Sequence, residues 1–91
     1  AVDLAPLNIR VNAVNPGVVE TELQKRGGMT DDAYEAFLER CTETHPLYGA
    51  RPICQPEDAA RTVAFVSSDA AGCMTGACIV LDGGRACNGA R

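Results

Sequence analysis

Ile9-Arg10-Val11-Asn12-Ala13-Val14-Asn15-Pro16-Gly17-Val18-Val19-Glu20-Thr21 is the stretch that decides the fold. Its first half alternates and is rich in β-branched side chains. Ile9, Val11 and Ala13 face one way, and Arg10, Asn12 and Val14 the other, which predicts a strand over residues 9–15. Pro16 lacks the N–H that a ladder needs and Gly17 permits a sharp turn, so the strand ends there. In an open parallel sheet, ligands bind at the carboxyl ends of the strands. Asn15, Pro16 and Gly17 therefore mark a candidate binding turn. The amides just after it can bond a polar ligand, and Thr21 adds a hydroxyl at the start of a predicted helix. Pro-Gly is common punctuation, and a turn of this kind is more often only a turn.

Outward from that stretch, Ala1-Val2-Asp3-Leu4-Ala5-Pro6 reads as the last turn of a helix that began earlier. The chain does not begin with Met and shows no basic segment followed by an apolar one, so the expectation is a missing N-terminal part rather than a signal peptide. Downstream, a short helix is predicted over residues 21–26 and broken by Gly27-Gly28. Thr30 caps a second helix, with Asp31 and Asp32 in its first turn. Tyr34, Phe37, Leu38 and Cys41 share one face of it, and His45-Pro46 closes it. A loop over residues 47–55 leads to Pro56-Glu57-Asp58, which opens a third helix whose apolar side is Ala59, Val63 and Val66. Thr75-Gly76 is a turn. Ala77-Cys78-Ile79-Val80-Leu81 is a continuous apolar run, read as a strand buried on both faces and ended by Asp82-Gly83-Gly84. Strands separated by helices imply a parallel crossover. Two parallel strands cannot cover their own faces, so a larger sheet is expected beside them, and an uncovered chain is expected to self-associate through its unpaired edge.

Composition bounds the function. Ninety-one residues allow one small domain, and 46% apolar content argues against disorder. A net charge of −4 argues against nucleic acid or an anionic membrane as partner, and no apolar run is long enough to span a bilayer. The five cysteines are irregularly spaced without a C-x-x-C, so no metal site is assigned. Cys41 and His45 could share a helix face, but no third ligand is evident. Thiols in a reducing, cytoplasmic compartment are the plainer reading.

The quoted stretch resembles the sixth strand and following loop of short-chain dehydrogenases/reductases, whose pattern there is I-R-V-N-x-V-x-P-G-x-(I/V)-x-T. Gln55-Pro56-Glu57-Asp58-Ala59-Ala60 is similar to the family's P-E-(D/E) helix start. Phe65-Val66-Ser67-Ser68-Asp69 resembles F-L-x-S-(D/E), and Thr75-Gly76 with Leu81-Asp82-Gly83-Gly84 resembles the last strand's T-G-x-x-x-x-V-D-G-G. These blocks cover almost the whole chain in the family's order, with a flavour closest to the 3-oxoacyl-carrier-protein-reductase-like branch. The resemblance implies an α/β fold: the C-terminal portion of a Rossmann-like doubly wound parallel sheet, its last two strands with the intervening helices. Residues 1–91 would belong to one NAD(P)-binding domain, with residues 22–47 as the substrate lid and Gly27-Gly28 as its hinge. It implies cofactor binding, NAD or NADP, at Asn15, Pro16, Gly17, Val19 and Thr21. Val19 would meet the nicotinamide carboxamide through its N–H and C=O, Thr21 would bond the carboxamide or a phosphate, and Pro16 and Gly17 would floor the ring. It further implies a small carbonyl or alcohol substrate, and a homo-oligomer of the full-length protein with the third helix and last strand at the interface.

The departures bear on activity. Between Pro46 and Pro56 the chain is three residues longer than the family pattern, and Cys54 stands where Gly is usual. Residues 85–91 match nothing in the pattern. The Gly-rich dinucleotide turn and the catalytic Tyr-x-x-x-Lys are absent: Leu38 lies four residues after Tyr34, and Pro52 four after Tyr48. No catalytic residue is assigned. Tyr34 is read as lid packing, and His45 as a helix-end residue. The expectation is an oxidoreductase fragment inactive by itself; the alternatives are a non-catalytic binding or oligomerisation module of the same fold and an unrelated small α/β protein.

Overall fold

The computed structural model describes residues 1–21, 23–47 and 53–88. A turn and a 3-10 helix (Ala5–Leu7) lead, through Asn8 in the left-handed region, into the first strand, β1 (Ala13–Pro16). Helices α1 (Leu23–Arg26), α2 (Asp31–Thr44) and α3 (Pro56–Ser67) follow, then a 3-10 turn (Asp69–Ala71), β2 (Cys78–Leu81) and a last 3-10 turn (Ala86–Asn88). The two strands pair in parallel, with Ala13 opposite Cys78 and Pro16 opposite Leu81. The expected parallel unit with helices between its strands is what forms.

The helices begin where local chemistry says they should. Thr30 accepts a hydrogen bond from the Ala33 amide at 3.2 Å, and Asp31 and Asp32 sit where the helix dipole favours negative charge. Tyr34 and Cys41 are buried and Phe37 and Leu38 half-buried, so the apolar face read from spacing is the packed face. Pro56 takes the first helical position of α3, and the Asp58 carboxylate reaches back to accept from the Gln55 amide at 2.9 Å. Of the short helix predicted over residues 21–26, Leu23–Arg26 is helical, and it stops before Gly28, whose φ is 103°.

Two expectations are corrected. The strand predicted over residues 9–15 starts only at Ala13, and it includes Pro16. Residues 9–12 lie outside the strand and run beside the turn before β2, where side chains replace a ladder. Thr75 Oγ1 accepts from the Val11 amide at 3.1 Å, and the Gly76 amide donates to the Val11 carbonyl at 2.8 Å. Arg10 donates to the carbonyls of Val66, Ser68 and Met74 at 2.9–3.1 Å. Asn12 donates to the Met74 carbonyl and accepts from the Ala77 amide, both at 3.0 Å. Pro16 is tolerated because Ala13 and Gly17 donate to β2, which by alternation turns the Pro16 nitrogen to the outer edge.

The second correction concerns β2. It is not buried on both faces: its residues alternate between exposed and half-buried, and Val80 is 54% exposed. The apolar side of α3 is likewise only partly covered, with Val66 buried but Val63 49% exposed. Both exposures have one physical cause. Among the described residues the sheet has two strands, and the outer edge of β1 pairs with nothing. The buried apolar side chains are Tyr34, Cys41, Ile53, Val66 and Ala71, while Val2, Leu7 and Leu23 lie open. The radius of gyration, 16.1 Å, exceeds the roughly 12 Å of a compact domain this long. No described helix is long and apolar enough to cross a membrane.

The Asn12 side chain holds both sides of the turn that brings β2 alongside β1. Removing it orphans the Ala77 amide and takes one of two donors from the Met74 carbonyl, which Arg10 also reaches. Asn12→Ala is expected to destabilise the protein by about 1–3 kcal/mol, read as a lowered urea midpoint against a Glu35→Ala control on the exposed face of α2, which should move little. Equal midpoints for the two variants would show that the clamp contributes nothing.

Candidate functional site

The turn after β1 is fixed from two sides. The Gly17 amide donates to the Leu81 carbonyl at 2.8 Å, which sets the ends of the two strands level. A Cβ on Gly17 would lie 2.9 Å from Asp82 Cβ and 3.1 Å from Asp82 Cα, so only glycine lets the two strand-end turns touch. Beyond it, Val19 forms a parallel bridge with Cys54. The Cys54 amide donates to the Val18 carbonyl at 2.9 Å, and the Glu20 amide to the Cys54 carbonyl at 2.8 Å. In such a bridge the central residue turns its own peptide groups the other way. Val19 accordingly has neither its N–H nor its C=O engaged by any described residue, while the groups on both sides of it are tied down.

Thr21 closes the turn. Its hydroxyl oxygen accepts from the Leu23 amide at 3.2 Å, which leaves the hydroxyl proton for another acceptor, and its carbonyl accepts from the Tyr34 hydroxyl at 3.3 Å. Tyr34 therefore ties α2 to this turn, and its ring packs against Phe37 with centroids 6.4 Å apart. Of the five residues singled out from sequence, Asn15 and Pro16 thus end β1, and Gly17, Val19 and Thr21 follow in the turn directly after it. Asn15, Pro16, Gly17 and Thr21 are exposed and Val19 is half-buried.

Opposite them stands a turn that sequence reading took for a terminator only. Asp82 Oδ1 accepts from the Gly84 amide at 2.9 Å and Oδ2 from the Ala86 amide at 2.8 Å. The Ala86 amide is the main cause holding the Asp82 carboxyl below its ordinary value. Burial works against it, and the Gly84 amide, its own amide and nearby His45 add to the lowering. Asp followed by Gly is an Asx-turn signal that could have revealed this role. No local signal marks His45, which is 4% exposed at the end of α2. Between α2, Gly17 and the Asp82 turn lies a cavity of about 560 Å³. Another, of about 510 Å³, opens between α3 and β2 and touches none of the five turn residues.

Cys41 faces the first cavity but is no nucleophile: burial pushes its thiol up, with the adjacent Arg40 guanidinium countering. Cys54 spends its thiol on the Leu81 carbonyl at 3.0 Å. No disulfide joins the described cysteines, and no group of three described His, Cys, Asp or Glu side chains is placed to hold a metal ion. The extension between Pro46 and Pro56 falls largely on residues 48–52, outside the described residues.

Residues 1–86 match the model of a family described as enoyl-(acyl carrier protein) reductase. A 4-formylbenzenesulfonate dehydrogenase of Comamonas testosteroni is 40% identical over 86 residues, covering 93% of this chain and 32% of that protein. A cyclopentanol dehydrogenase of a Comamonas species is 39% identical, covering 97% of this chain and 32% of that protein. Among solved structures, a short-chain dehydrogenase/reductase of Caenorhabditis elegans superposes with a TM-score of 0.80 at 34% identity, over 94% of this chain and 32% of the other. An aldohexose dehydrogenase of Thermoplasma acidophilum gives 0.79 at 31% identity, over 96% and 38%. The chain spans about a third of the length of these relatives.

A carboxylate held below its ordinary pKa stabilises a fold above that ordinary value, and the contribution is lost as pH falls through the lowered one. Thermal midpoints should therefore fall with pH below about 4, and less steeply in Asp82→Asn than in the unmodified protein. Superimposable midpoint-versus-pH curves would show that Asp82 does not couple to folding.

Proposed function

The chain belongs to the short-chain dehydrogenase/reductase family, and on that premise we propose that it forms the nicotinamide-facing and lid portion of an NAD- or NADP-dependent oxidoreductase acting on a small carbonyl or alcohol. Its fold is the last two strands of a Rossmann-like parallel sheet with the helices between them. The observation that carries the functional reading is the pair of disengaged peptide groups on Val19, beside a turn held rigid by Gly17 and Cys54. A carboxamide offers one acceptor and one donor in a plane. A peptide N–H and C=O from one residue answer both.

Nicotinamide bound here supplies or takes the hydride. Val19 then fixes the carboxamide, and Pro16 and Gly17 form the floor beneath the ring. Thr21 donates its remaining hydroxyl proton to the carboxamide or a phosphate. Residues 22–47 serve as the lid that excludes water, with the positive φ of Gly28 as the hinge. Tyr34 has its hydroxyl on the Thr21 carbonyl, which suits a packing role rather than proton transfer. No residue of this chain is assigned to move the substrate's proton. Relatives named for cyclopentanol and 4-formylbenzenesulfonate support a small ring-bearing alcohol or aldehyde as substrate. The open apolar side chains of α3 and β2, Val63, Phe65 and Val80, support their use as a subunit interface in the whole protein. Five thiols without a disulfide among them support a reducing, cytoplasmic location.

Two outcomes test this. Purified residues 1–91, given either nicotinamide cofactor and a panel of ring aldehydes, should show no turnover above a blank; activity that survives repurification would overturn the division of labour. In the full-length protein, Thr21→Val should raise the Michaelis constant for the cofactor about 3- to 10-fold through loss of one hydrogen bond, and Thr21→Ser should restore it. Unchanged kinetics in Thr21→Val would remove Thr21 from the site.

A further inference from the structure

Cys54 bonds through its amide, its carbonyl and its thiol, and each bond bears on Val19. The amide donates to the Val18 carbonyl at 2.9 Å, and the carbonyl accepts from the Glu20 amide at 2.8 Å. Both chain neighbours of Val19 are therefore held by the backbone of this one residue. The thiol donates to the Leu81 carbonyl at 3.0 Å. That carbonyl also accepts from the Gly17 amide at 2.8 Å, so both its lone pairs are used. The turn after β1, the approach to α3 and the end of β2 meet at one oxygen.

The two backbone bonds place Val19 only relative to Cys54, and Cys54 must itself be placed. Toward α3 the chain is fixed at once, because the Gln55 amide donates to the Asp58 carboxylate at 2.9 Å. Packing gives less support. Cys54 is half-buried and lines the cavity of about 510 Å³ between α3 and β2, so open space adjoins it there. The thiol spans to the end of β2 beside that space. An S–H···O=C bond is weak, so its effect on stability is small and its effect on position is what counts. Glycine at this place, as in the family's pattern, would keep both backbone bonds and lose this third one.

We propose that Cys54 is a positioning residue for the cofactor: its thiol ties the neck to β2 and so keeps the N–H and C=O of Val19 where a nicotinamide carboxamide can take both. The proposal rests on the reading of Val19 as the carboxamide's partner, and adds the residue that sets its place. Cys54 itself touches neither cofactor nor substrate. A carboxamide uses an acceptor and a donor at a fixed spacing, so a shift of the neck disturbs two bonds together. An acetyl group in its place has no N–H and can use only the Val19 amide. The two head groups should therefore respond unequally to a change at Cys54.

The test is isothermal titration of the full-length protein with its preferred oxidised dinucleotide, NAD or NADP, and with the 3-acetylpyridine analogue of the same dinucleotide. The unmodified protein should prefer the carboxamide form. Cys54→Ala keeps the backbone bonds and removes the thiol, and it should cut that preference about 2- to 5-fold through weaker carboxamide binding. Cys54→Ser keeps a donor and should restore it. Cys73→Ser, at an exposed thiol, should change nothing. Without cofactor, the Glu20 amide should exchange with solvent about 2- to 5-fold faster in Cys54→Ala, read by NMR. A preference or a Glu20 exchange rate untouched by Cys54→Ala would overturn the proposal and leave the reading of Val19 standing. Equal weakening of both dinucleotides would show a merely structural role and overturn it likewise. Absence of any carboxamide preference in the unmodified protein would remove the reading of Val19 and the proposal with it.

Discussion

The side-chain clamp of Arg10 and Asn12 on the segment before β2 is the constraint on which the rest depends. Four carbonyl and amide groups from residues 66–77 converge on these two side chains. They hold the end of α3 and the turn after it against the approach to β1. Once Ala13 is set opposite Cys78, parallel pairing carries the register forward to Pro16 and Leu81. Only then do Gly17 and Asp82 arrive together, and with them the turn that leaves Val19 with its peptide groups disengaged. The geometry of the site is thus decided at the opposite end of the strands from the site itself.

This explains what the sequence could and could not reveal. The starts of α2 and α3 were legible because Thr30, Pro56 and their acidic followers act on amides within one turn. The alternation of residues 9–12 was also real, but it marks a segment whose bonds go to a turn sixty residues away, so periodicity alone ran the strand too far back. The apolar run of β2 reads as buried on both faces because its composition suits a covered strand; actual cover depends on neighbours that composition cannot place. At the site, Pro16-Gly17 announced a turn, but not that Cys54 would brace it. His45 is the helix end it reads as, the C-cap of α2, but that role alone does not announce its burial.

Energetically, the chain's own core is small. Tyr34, Ile53 and Val66 are its main apolar members, whereas Val2, Leu7, Val63 and Val80 remain open to solvent. Covering one such aliphatic side chain contributes about 1.5–3 kcal/mol, comparable to a large fraction of the 5–15 kcal/mol that holds a typical domain folded. Whatever packs against β1, β2 and α3 therefore contributes to stability on the same scale as the contacts within the chain.

The bridge between Val19 and Cys54 also has a consequence for divergence. It joins the chain just before Thr21 to the chain just before α3, and so pinches residues 20–53 into a loop with a closed neck. Lengthening such a loop costs little, about 0.6 kcal/mol for each doubling. Insertions inside it leave the neck where it was. The segment inside the neck can therefore change, by substitution or by added residues, while the edge formed by β1 and Val19 stays in register. The three additional residues between Pro46 and Pro56 fit a change of that kind. The neck separates the part of the molecule free to vary from the part that is not.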